Sequence, residues 1–137
     1  MIKEWNRMGL LCCGKHFPGH GDTSLDSHLA LPTLPFDEKR LKEIELVPFI
    51  QAIKANVPMI MTSHIKFEKI DTEMPVTLSK YFISEILRNQ LGFNGLIIGD
   101  DVEMKAIKDN YTEEEWILKS QSAGIDLLII SKDVDVQ

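Results

Sequence analysis

Cysteine is scarce in this chain. Of 137 residues only Cys12 and Cys13 carry thiols, and they are adjacent. In the apolar run Leu10-Leu11-Cys12-Cys13 they read as small buried hydrophobes, with no spacing for a disulfide framework or a zinc knuckle. That favours a reducing compartment, and the expected location is the cytoplasm, the alternative being a signal upstream of the given sequence. Long apolar runs are also lacking. Nothing approaches the ~20 residues that span a bilayer, and the stretch from Met1 to Arg7 holds no apolar signal core, so no membrane contact is expected. Basic clusters are missing too: 15 Lys and Arg stand against 21 Asp and Glu, for a formal net charge of -6. An acidic chain with scattered lysines lacks the basic face that nucleic-acid binding or polybasic membrane docking requires. There is no internal repeat and no low-complexity segment.

What is present is alternation. Four short apolar runs, Leu10–Cys13, Val57–Met61, Gly95–Ile98 and Ile125–Ile130, lack polar alternation, as strands covered on both faces do. Helical patterns fall between them. One runs from Asp37 to Asn56, with Asp37 as cap and Pro48 predicting a kink or a break. A second runs from Ser79 to Leu91, with Ile83, Leu87 and Leu91 on one face and Gly92 to end it. A third starts at Thr112, where Thr112 and Glu115 form a capping-box pair. Strands alternating with helices predict right-handed βαβ units and a parallel sheet. The segment from Phe17 to Phe36 reads as one long loop, and long ordered loops are more often functional than decorative.

Every expected strand ends in polar side chains: Lys15-His16, Thr62-Ser63-His64, Asp100-Asp101 and Ser131-Lys132-Asp133. In α/β folds the C-terminal ends of parallel strands carry the active site. Strands also end in polar loops for no functional reason, so position alone leaves both readings open. The long loop reads Lys15-His16-Phe17-Pro18-Gly19-His20-Gly21-Asp22-Thr23, then Asp26-Ser27-His28, then Leu31-Pro32. Its histidines and aspartates raise a metal site, but no pair has helical i, i+4 ligand spacing, and neither metal nor cofactor is expected. Asp26 and His28, two apart, suit a carboxylate that orients an imidazole for acid/base work; a loop histidine satisfied by its neighbour would look the same.

The whole string resembles the β-N-acetylglucosaminidase branch of glycoside hydrolase family 3. The resemblance continues through Val57-Pro58-Met59-Ile60-Met61-Thr62-Ser63-His64, through the segment from Phe93 to Met104 that contains Gly99-Asp100-Asp101-Val102-Glu103-Met104, and through Ala123-Gly124-Ile125-Asp126-Leu127-Leu128. It implies an α/β fold that is part of a (β/α)8 TIM barrel, about four βα units with a parallel sheet, with residues 1–137 forming the C-terminal half of the family's barrel domain. It implies Asp100 as nucleophile, His28 with Asp26 as the acid/base dyad, and Lys15 and His16 as ligands of sugar hydroxyls. His64 and Met104 are further candidates for substrate contact, though His64 reads more readily as a hydrogen-bonding residue of the barrel rim than as a chemical one, and ordinary core packing also accounts for Met104. Gly99 departs from the pattern, which usually has serine or threonine there, and this puts the nucleophile's support in doubt. Val102 replaces a commoner leucine.

The implied function is a retaining glycoside hydrolase that removes terminal β-linked N-acetylglucosamine, on cell-wall muropeptide sugars. Two alternatives stand beside it: a non-catalytic half-barrel for binding or assembly, and an N-acetylglucosaminide phosphorylase, because an imidazole acid repels phosphate less than a carboxylate would. A complete barrel takes about 250 residues. The expectation is therefore a fragment, a split gene product or one half of a two-chain assembly. Such a chain would self-associate or depend on a complementary half-barrel, and would be inactive alone.

Overall fold

The computed structural model of the chain describes residues 1–20, 23 and 30–131. Three parallel strands form the central sheet in the order β1 (Cys13–Phe17), β3 (Met59–Thr62), β5 (Leu96–Ile98). Cys13 pairs with Met59 and Gly14 with Ile60, the register shifts before Phe17 meets Thr62, and β3 pairs with β5 from Met59↔Leu96 to Met61↔Ile98. A second pair of parallel strands, β2 (Thr33–Leu34) and β4 (Lys66–Phe67), lies beyond their ends. Parallel strands need crossovers, and helices supply them. The α/β class and the partial parallel barrel are as the sequence implied.

The strands are not all where the apolar runs are. Leu10 and Leu11 stay 52% and 73% exposed, and β1 begins only at Cys13. Lys15 and His16 therefore sit within the first strand, not after it. The fourth run, Ile125–Ile130, makes a single parallel bridge, Ile98↔Leu127, and Leu127 remains 50% exposed. Asp126 N and Leu127 N both donate to Ile97 O within β5, at 2.9 and 3.2 Å. Gly99 N donates to Leu127 O at 2.7 Å and Val102 N to Ile129 O at 3.1 Å.

The helices follow their caps. Asp37 accepts from Arg40 N at 2.9 Å and starts α2 (Glu38–Arg40). A π turn, Leu41–Glu45, follows, and the break before α3 (Val47–Lys54) coincides with Pro48 in its first turn, where a missing N–H costs nothing. The helix from Tyr81 to Gln90 is π-wound, with Leu91 N bonded to Ile86 O, and Gly92 follows at φ +66. Both halves of the Thr112–Glu115 capping box are formed at the start of α5 (Glu113–Ala123), and Gly124 ends it in the left-handed region. Two short helices, α1 (Ile2–Arg7) and α4 (Lys105–Lys108), carry too little periodicity for the sequence reading to find.

The main core packs Phe17, Phe49, Ile60, Phe67, Phe82, Ile83, Leu87 and Ile97 between sheet and helices. A smaller cluster of Leu78, Val102, Ile107 and Trp116 underlies the turn that leaves β5. Fully burying one such aliphatic or aromatic side chain is worth about 1.5–3 kcal/mol. That turn is thus built on a packed base.

Candidate active site at the C-terminal rim of the sheet

Parallel pairing puts the C-terminal ends of β1, β3 and β5 on one rim. His16 comes from β1, His64 follows β3, and Asp100 follows β5. Asp100 Oδ2 lies 3.8 Å from His16 Nε2, with the two side chains 15% and 30% exposed. That is too long for a hydrogen bond and close enough for electrostatic attraction when the ring is protonated. The other carboxylate oxygen, Oδ1, accepts the backbone N–H of Asp101 at 2.9 Å. One oxygen is tied to the chain and the other faces the rim.

Asp101 is the anchor of this turn. Its Oδ1 accepts from Glu103 N at 3.1 Å, its other carboxylate oxygen accepts the Ser131 hydroxyl, and its carbonyl accepts from Met104 N at 3.1 Å and from His64 Nε2 at 2.8 Å. His64 itself is fully buried, and its Nδ1 lies 3.0 Å from Thr77 Oγ1. Burial, the largest cause, pushes the His64 ring below its ordinary range. The nearby Asp100 and Asp101 charges and the bond to Asp101 oppose that shift, and His16 adds to it. Met104 is 6% exposed and packs at the head of α4. The structure thus puts His64 behind the carboxylates and Met104 in the packed wall.

Lys15 precedes His16 on β1 with its side chain exposed. His20 stands edge-on to His16 with ring centroids 5.8 Å apart. Lys15, His16, His20 and Phe49 help to line an open cavity of about 360 Å³. Asp26 and His28, and also Lys132 and Asp133, lie outside the described residues. Among the described residues no cluster of three or more His, Cys, Asp or Glu could hold a metal ion.

Sequence reasoning missed the supporting layer. Ser63 Oγ donates to Phe17 O at 2.9 Å and ties the ends of β3 and β1 together. Thr62 Oγ1 lies 2.9 Å from Thr77 Oγ1. The run Thr62-Ser63-His64 after an apolar strand was a signal for buried polar residues; Thr77, in a short 3-10 turn, gave none.

Gly99 is buried, and a Cβ there would come within 2.7 Å of Leu128 Cδ2 and 3.4 Å of Thr77 Cγ2. The space that a larger residue would use is filled by Leu128. The support of Asp100 comes instead from its neighbour's N–H.

The family model described as "Glycosyl hydrolase family 3 N terminal domain" matches residues 1–137. The chain is 33% identical to beta-hexosaminidase A of Pseudoalteromonas piscicida, over 94% of this chain and 24% of that protein. It is 40% identical to a beta-hexosaminidase of Glaesserella parasuis serovar 5, over 98% of this chain and 39% of that protein. Among solved structures, a glycoside hydrolase family 3 beta-N-acetylglucosaminidase from Paenibacillus sp. superposes with a TM-score of 0.93 at 40% identity, covering 98% of this chain and 26% of that one. NagZ from Neisseria gonorrhoeae, in complex with N-trifluoroacetyl-D-glucosamine, superposes with a TM-score of 0.83 at 31% identity, covering 96% of this chain and 37% of that one. The chain spans between 24% and 39% of the length of these relatives. With the family model matching residues 1–137 of the chain, and with parallel strands bringing Asp100 and His16 to one rim, the chain belongs to the N-terminal domain of glycosyl hydrolase family 3.

Proposed function

We propose that this chain supplies the nucleophile side of a retaining β-N-acetylglucosaminidase site. The observation that carries the reading is the unequal holding of the Asp100 oxygens, Oδ1 on the Asp101 N–H and Oδ2 toward His16. A nucleophilic carboxylate needs one oxygen free to reach the anomeric carbon and the other fixed so that the attack has a direction. Oδ2 of Asp100 bonds to that carbon as the glycosidic C–O bond breaks, and the leaving oxygen takes a proton from His28. In the second half, neutral His28 removes a proton from water, the water oxygen bonds to the anomeric carbon, and the Asp100 ester is cleaved. Asp26 orients the His28 ring and stabilises its charged form. Lys15 and His16 hold sugar hydroxyls. The sugar is a terminal β-linked N-acetylglucosamine, and the relatives' names, beta-hexosaminidase and beta-N-acetylglucosaminidase, support that sugar class; the source in this reading is cell-wall muropeptide sugars.

The open rim and the lone pairing of β1 with β3 among the described residues favour an assembly requirement. A sugar-binding pocket buries most of its ligand, and three strands wall only one side. The proposed partner is a complementary set of barrel strands. The free thiols Cys12 and Cys13 suit a cytoplasmic setting. Hydrolysis of a chromogenic N-acetyl-β-glucosaminide by the intact protein that carries these 137 residues, lost in Asp100→Ala, tests the function. Acceleration by phosphate with release of sugar 1-phosphate would replace hydrolase by phosphorylase. Sugar binding with no turnover would leave the non-catalytic half-barrel.

A further inference from the structure

We propose that His64 is a positioning residue for the candidate nucleophile: its Nε2–H, kept on that nitrogen by the Thr77 hydroxyl, locks the Asp101 carbonyl and so fixes the direction in which Asp100 presents Oδ2. The functional half of this inference rests on the reading of Asp100 as nucleophile; the hydrogen-bond half does not.

The polarity of the network follows from its end point. The Asp101 carbonyl can only accept, so His64 Nε2, 2.8 Å away, carries the proton. A fully buried imidazole whose basicity is lowered by desolvation is neutral, so Nδ1 is bare and takes the Thr77 proton across 3.0 Å. Thr77 has one proton and a second acceptor, Ser63 O, also at 3.0 Å; the bare ring nitrogen decides between them. Thr62 then donates to Thr77 Oγ1 at 2.9 Å in preference to Ile98 O at 3.4 Å. Three hydrogen bonds run one way, from β3 through the short turn at Val76–Leu78 to the turn after β5.

That chain of bonds ends where aim matters. Asp101 lies between two peptide groups, and both are held. Its N–H is on Asp100 Oδ1, and its carbonyl is on His64 Nε2 and Met104 N. Rotation of the second peptide would swing the first and carry Oδ1 with it. Among the described residues, loss of the His64 bond leaves Met104 N alone to hold that carbonyl.

The first test is side-chain 15N NMR of the His64 ring in the intact protein, which needs no variant and no activity. The expected result is a protonated Nε2 with a bare Nδ1. A bare Nε2, or a ring protonated on both nitrogens at neutral pH, overturns the proposal. The second test compares Thr77→Val, which keeps the shape and removes the hydroxyl, with Thr77→Ser, which returns it. In the intact protein Thr77→Val is expected to lower kcat by about 10²-fold, the scale of a misplaced reacting group, with KM within twofold, and Thr77→Ser to recover most of the loss. A loss carried by KM alone, or no recovery with serine, overturns the positioning role. If Asp100→Ala stays active while the His64 tautomer is as expected, the nucleophile reading fails and the hydrogen-bond network stands.

Discussion

The backbone N–H of Asp101 donates to Asp100 Oδ1 at 2.9 Å, so a residue next in sequence holds its neighbour's carboxylate by one oxygen only. This short-range bond gives the candidate nucleophile its orientation without a serine or threonine hydroxyl at Gly99. It also ties the behaviour of Asp100 to whatever holds Asp101.

Because His64 is buried and its ring is harder to protonate than in the unfolded chain, its contribution to stability depends on pH. The unfolded state binds a proton below about pH 6.5 that the folded state resists, so stability rises with pH through that region and is lost as pH falls toward the folded value. The charges that act on the ring are Asp100, Asp101 and His16. Urea midpoints between pH 5 and 7.5, taken as the difference between wild type and His64→Gln, should show this slope vanish in the variant, since the other histidines are common to both. A difference independent of pH would mean that the ring is not neutralised by folding.

Gly95→Ala should destabilise strongly. A Cβ at residue 95 would lie 2.4 Å from Pro58 O and 2.6 Å from the Phe93 ring. Pro58 O is the acceptor for Leu96 N at 3.0 Å, the bond that starts the pairing of β5. Backbone cannot rotate away as a side-chain tip can, so the cost should reach or exceed the about 1–3 kcal/mol typical of overpacking. Denaturant titration checks it.

Gly99→Ser is expected to behave differently. Its closest clash is with the flexible end of Leu128, at 2.7 Å. The single variant should lose about 1 kcal/mol or more, and Leu128→Ala in the same chain should recover part of that loss by opening the space. Additive losses in the double variant would show that Leu128 is not the obstacle.

Arg88 and Asp126 join the end of the π-helix to the start of β5. Arg88 Nη2 donates to Asp126 Oδ2 at 2.6 Å, the same oxygen accepts Ile97 N at 2.7 Å, and Arg88 Nη1 donates to the carbonyls of Phe93 and Gly95. The pair is partly exposed, so screening limits its worth. A double-mutant cycle with Arg88→Met and Asp126→Asn should give a coupling of about 1 kcal/mol, above zero because the geometry is fixed by three backbone groups.

The sequence was legible where local chemistry sufficed. Thr112 with Glu115, Asp37 as cap and Pro48 as breaker each act within one helical turn, and each did so as read. The parallel sheet was legible because β3 and β5 are apolar on both faces. β1 was misplaced because its residues Gly14, Lys15 and His16 do not look like a buried strand; Gly14 pairs with Ile60 and Phe17 with Thr62 across an irregularity that takes in Lys15 and His16, which composition does not record. The last strand was overread because Ile125–Ile130 is apolar without being fully covered. At the site, Asp100 and His16 could be named from sequence, whereas Thr77 could not, since its partners Thr62, Ser63 and His64 are 13 to 15 residues away. A threonine in a short turn has no signature of that role.

The most direct measurement is covalent trapping. The intact protein is treated with a fluorinated, activated N-acetylglucosaminide that forms the glycosyl ester and releases it slowly, and the digested product is read by mass spectrometry. The predicted result is one added sugar on the peptide containing Asp100, absent from Asp100→Ala. A sugar attached to another carboxylate, or labelling that persists in Asp100→Ala, would contradict it.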